Sequence, residues 1–155
     1  MRIKVENPYG STSLEQIALF EARWKVVLPD EYKRFLLKSN GGRPSPDVFD
    51  VPGYQFEGGV IDSFYGLHSG EYYQLERAYE VYLDRIPTDM VPMALDNFGN
   101  VVCIGWKGER RGKIYFWDHE DELDENGLSR QDYSNVFLVA NSLEEFLGKL
   151  KELED

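Results

Sequence analysis

The sequence predicts an α+β fold, a mainly antiparallel β-sheet with helices packed against it. Two observations carry this. Apolar residues recur at helical spacing near both ends of the chain and once in the middle. Between the middle and last of these stretches, short apolar runs are separated by turns containing Gly and Asn, a hairpin signal. Regular alternation of strand and helix is absent, which argues against a doubly wound parallel sheet. The chain has 155 residues, 42% of them hydrophobic, enough for one domain with its own core.

Ser13-Leu14-Glu15-Gln16 has the form of a capping box, and Leu14, Ile17, Phe20 and Trp24 follow on one helical face. Leu28-Pro29 restarts the pattern, with proline suited to a first helical turn, and Leu28, Tyr32, Phe35 and Leu36 make the next apolar face. Asn40-Gly41-Gly42 ends it, because Asn and Gly tolerate the left-handed backbone of a helix C-terminus. Residues 43–53, rich in Pro and Gly, read as a loop. Residues 54–67 read as extended, GGVIDSFYGL most strongly. Tyr72, Leu75, Tyr79, Tyr82 and Leu83 return to helical spacing, which Pro87 ends. VPMAL (91–95), VVCIGW (101–106) and KIYFW (113–117) form an antiparallel meander, and SNVFLVA (134–140) is a further strand or an extended lead-in. Ser142-Leu143-Glu144-Glu145 caps a closing helix whose stripe is Leu143, Phe146, Leu147 and Leu150.

Net charge is −11 and uneven. Residues 118–155 hold 12 acids and 3 bases, or −9, and the remaining 117 residues hold 16 acids and 14 bases, or −2. This balance repels nucleic-acid phosphate and anionic membrane, and suits a basic partner or simple solubility. No apolar stretch approaches the roughly 20 residues of a membrane helix. The N-terminus lacks an apolar signal-peptide core, so a cytoplasmic location is expected.

Catalytic and metal motifs are wanting. Cys103, the single cysteine, stands in an apolar run and reads as a small buried hydrophobe. An EF-hand alignment on Gly127 gives Glu122, Asp124 and Asn126, but places Tyr133 where a bidentate Glu is required. His68 and His119 form no HExxH, and GGRPSP lacks the frame of a P-loop. No cofactor is implied. Asp96 and Asp118 could be paired carboxylates if the sheet joins them, or turn formers. Lys107, Arg110, Arg111 and Lys113 surround a hairpin tip without the extended basic face of a nucleic-acid binder.

The order of motifs resembles the SUKH superfamily, the Smi/Knr type of cell-wall regulators and bacterial immunity proteins. The first block is LPDEYKRFLLKSNGG, with Leu28, Pro29, Tyr32, Phe35, Leu36, Asn40 and Gly41. The second is VPMALDNFGNVVCIGW, with Pro92, Ala94, Asp96 and Gly99. The third is GKIYFWDHED, with Gly112, Tyr115, Trp117, Asp118 and His119, and SLEEFLGKL fits the closing helix. The resemblance covers roughly residues 13–150 of a single domain spanning 1–155; residues 1–12 and the 120–133 insert lie outside it.

The resemblance implies a binding role rather than catalysis. Bacterial members commonly neutralise a cognate toxin, often a nuclease. The first expectation is therefore an immunity protein for a basic toxin domain. The second is a regulator or scaffold without a toxin, and an enzyme such as a metal-dependent hydrolase stands behind both. A partner is expected to meet Asp118, His119, Glu120, Asp121, Glu122 and Asp124, which would steer it, together with Asp96 and the aromatic anchors Trp106 and Trp117. Oligomeric state is left open.

Overall fold

The structure is a computed structural model that describes residues 3–54 and 58–153. It is an α+β fold. The helices are α1 (Leu14–Trp24), α2 (Asp30–Ser39), α3 (Leu75–Tyr82) and α4 (Leu143–Lys149). The strands are β1 (Lys4–Glu6), β2 (Arg43–Ser45), β3 (Val48–Asp50), β4 (Gly58–Phe64), β5 (Met90–Asp96), β6 (Val101–Gly105), β7 (Ile114–Trp117) and β8 (Val136–Ala140). Strands β3 to β8 form one antiparallel sheet in chain order, and β1 pairs with β2 in a small second sheet.

The helix ends follow from their caps. Ser13 Oγ accepts from Gln16 N and Ser142 Oγ accepts from Glu145 N, satisfying donors that a helix leaves orphaned. Pro29 is the N-cap of α2 rather than its first helical residue. Leu14 is exposed, so the inner face of α1 is Ile17 and Phe20. α3 begins at Leu75, leaving Tyr72 outside it on the surface. Residues 43–53, expected as loop, contain β2 and β3. Their three-residue length and prolines hide them from periodicity. Of the stretch expected to be extended from Tyr54, residues 55–57 lie outside the described residues.

Both faces of the central hairpin are buried. Val102, Ile104, Ile114 and Phe116 join the main core with Phe20, Tyr32, Leu36, Leu143 and Phe146 of the helices. The alternate residues Val101, Cys103, Tyr115 and Trp117 join a smaller cluster with Ile86 and Met90, against which Tyr82 and Tyr133 pack. The period of two therefore delivers apolar groups to both sides. The second side is roofed by the segment after α3 and by the end of the 120–133 insert.

Asn40 does more than end α2. Its backbone is left-handed (φ 48°), and its side chain is 1% exposed. Nδ2 donates to Leu67 O and Gly10 O, while Oδ1 accepts from Leu67 N. The Asn-Gly stop thus clamps the segment that follows β4. Asn40→Gly keeps the left-handed backbone but strands buried Leu67 groups, so it is expected to cost about 2–3 kcal/mol in urea unfolding. A loss below about 0.5 kcal/mol would show that the clamp contributes little.

Candidate functional site

The β5–β6 turn is built around a buried carboxylate. Asp96, 2% exposed, ends β5. Its Oδ1 accepts from Phe98 N at 2.8 Å and Asn100 N at 2.7 Å, and its Oδ2 accepts from Asn100 Nδ2 at 3.3 Å. Burial raises its pKa above the ordinary carboxylate range, and the amide donors of Phe98 and Asn100 counter this. The antiparallel register sets Trp117 beside Val101, so the chain leaving β7 meets this turn. There Asn100 Oδ1 accepts from His119 N at 3.1 Å, and His119 Nε2 lies 2.7 Å from Phe98 O. Gly99 has φ +87°, and a Cβ there would fall 3.0 Å from His119 Nε2, so this position suits glycine for backbone and space alike.

Asp118, 8% exposed, accepts from Glu120 N and opens a single 3-10 turn over His119–Asp121. Tyr54 hydrogen-bonds to the Asp118 carboxylate, and its phenol is pushed up to about 12 by burial, then by Asp118, Glu120 and Asp96. Asn135, just before β8, closes the node, its carbonyl accepting from Asp118 N and its Nδ2 donating to Asp118 O. The two acids that could have been paired catalytic carboxylates are thus joined in one region, each engaged by backbone donors.

The insert is latched from the segment after α3. Arg85 Nε and Nη2 donate to Glu122 Oε2 and Oε1, both at 2.9 Å, and Ser129 Oγ donates to Glu122 Oε2. The same guanidinium lies over the rings of Tyr82 and Trp117 at 4.9 and 5.8 Å. Arg85 holds the Glu122 carboxyl below the usual carboxylate range, assisted by Ser129. Farther along, Arg110 covers the Tyr133 ring at 3.7 Å and pairs with Asp89. Sequence reasoning missed Arg85, since nothing in its local pattern reveals a partner 37 residues away.

The expected site residues therefore divide. Asp96, Asp118, His119 and Glu120 converge, and Glu120 is exposed. Trp117 does not serve as a surface anchor: it is wholly buried beneath Arg85 and Tyr82. Trp106 lies past the far end of β6 from the Asp96 turn, half-buried, with Nε1 donating to Thr88 O. It belongs to a different region. Asp96 is too buried to meet a partner and positions the turn instead. Glu122 is tied to Arg85, and exposed Asp121 pairs with Arg130 at 3.4 Å. Asp124 Oδ1 accepts from Asn126 N and Leu128 N, holding its own loop closed. Cys103 is wholly buried and burial pushes its thiol up, in keeping with a packing role. No helix among the described residues is long and apolar enough to cross a membrane.

Comparison with known proteins places these features in a family. Residues 11–149 match the SMI1 / KNR4 family (SUKH-1). The chain is also 32% identical over 152 residues to the SPbeta prophage-derived uncharacterized protein YokK of Bacillus subtilis (strain 168), covering 88% of this chain and 73% of that protein. The match spans the Asn40 clamp, the Asp96 turn and the insert alike.

The Arg85–Glu122 latch has a pH signature. A depressed Glu122 pKa stabilises the fold above the unfolded carboxyl's pKa, and this is lost as pH falls through the folded value. Glu122→Gln is therefore expected to be less stable than the parent at neutral pH, with the gap narrowing in acid. Urea midpoints across pH measure this, and a gap that stays constant into acid would contradict the latch.

Proposed function

We propose that this chain, which belongs to the SMI1 / KNR4 family (SUKH-1), is a non-catalytic immunity protein that binds and blocks a basic toxin domain. The observation that carries this reading is the set of surface carboxylates without internal cations. Glu120, Asp124, Glu125 and Asp132 enter no ion pair among the described residues. Nearby cations are already engaged, Arg130 by Asp121 and Arg85 by Glu122. The field of these carboxylates is left for solvent or a partner. Such charges speed encounter more than they add affinity.

The structure also selects which acids give a clean test. Neutralising Asp118 or Glu122 would disturb a turn or a latch. Glu120 and Glu125 are exposed and unpaired. Glu120→Gln combined with Glu125→Gln is expected to slow association with any basic toxin domain encoded beside the gene about three- to tenfold at low salt, with an unchanged melting temperature. Raising salt is expected to slow the parent in the same way. Association indifferent to both changes would overturn the steering role. A neighbouring toxin domain that stays active and unbound in the presence of the parent protein would overturn the immunity reading itself.

A further inference from the structure

We propose that Phe98 and Glu120 form an arginine-receiving subsite, where a partner's guanidinium stacks on the Phe98 ring and pairs with the Glu120 carboxylate. This rests on the reading of the chain as a binder of a basic partner and names the side chain it takes. Phe98 is 68% exposed, although it sits on the turn most heavily fastened by buried groups. Asp96 holds its N–H, and His119 Nε2 meets its carbonyl. Asn97 N adds a bond to Val60 O on β4. The ring's backbone is held from both sides while its side chain stays in water. A pre-organised exposed aromatic loses little backbone freedom on binding, which is what an anchor needs.

The chemistry around the ring selects the occupant. His119 ties the turn to the segment that carries Glu120, so the residue with the exposed ring touches, through its carbonyl, the neighbour of a residue whose exposed carboxylate is in no ion pair among the described residues. On its other side, Phe98 lines a shallow groove of about 290 Å³ with Val60, Leu153 and Glu152. The groove's own cation, Lys151, pairs with Asp50 at 3.1 Å. An apolar face bordered by carboxylates, on a chain of net charge −11, complements a planar cation. Arginine fits better than lysine because its guanidinium stacks flat while its N–H fork reaches a carboxylate.

Tetra-arginine and tetra-lysine peptides, equal in charge, make the test, followed by NMR titration of the full chain. The arginine peptide is expected to move the Phe98 ring and Glu120 amide signals and to bind about threefold more tightly than the lysine peptide. Phe98→Leu, an exposed change that keeps the fold, is expected to erase this preference, and Phe98→Tyr to retain it. Glu120→Gln is expected to weaken both peptides. Equal affinity of the two peptides for the parent, or arginine-induced shifts that leave Phe98 unmoved, would overturn the subsite. A toxin domain that fails to bind while the arginine preference persists would instead count against the immunity reading alone.

Discussion

Asp96 is a carboxylate buried to 2% exposure that no ion pair reaches among the described residues, and the functional end of the molecule depends on how it is held. Burying a carboxylate is costly unless hydrogen bonds replace the lost water. Here Phe98 N, Asn100 N and Asn100 Nδ2 do so. In return the turn between β5 and β6 takes a single shape. Asn100 then captures the backbone of His119, and His119 reaches back to Phe98 O. Through Asp118, Tyr54 and Asn135 the same network includes the chain after β3 and the residue that leads into β8. Two of the three sequence blocks that resemble the family meet at this point. Their polar residues are a scaffold whose exposed products are Phe98 and Glu120.

A second arrangement fixes where the acidic insert lies. β6 and β7 bury both faces, so their outer side needs a cover. Tyr82, Ile86 and Tyr133 supply apolar cover, and Arg85 bridges the cover to the insert through Glu122. The guanidinium stands on aromatic rings and faces a carboxylate, so its planar surface packs while its edge is satisfied. The insert is thereby anchored near its start while Glu125 and its neighbours remain in solvent.

The sequence revealed the helices and the meander because those signals are local. Ser13 and Ser142 cap as their motifs predict, and turn residues separate strands that pair in chain order. The short strands β1, β2 and β3 escaped, since three residues define no period and Pro44 argues against a strand. The site was visible only in part. Charge and position drew attention to Asp118, His119 and Glu120, but polarity also suggested exposure for Asp96, which is buried by donors from its own turn. Trp117 seemed an anchor because it borders the acidic run. Its burial depends on Tyr82 and Arg85, which no local pattern connects to it. Phe98 went unnoticed as an apolar residue in a turn. Only the network around it shows that its exposure is held in place.

The most direct test of this account is hydrogen–deuterium exchange of the chain alone and in complex with a basic toxin domain of the class proposed as its partner. The account predicts protection concentrated at 97–100 and 118–125, where the turn and the start of the insert meet, with the α2–α4 side unchanged. Protection confined to α2 and α4, with the Asp96 turn exchanging as in the free protein, would contradict it.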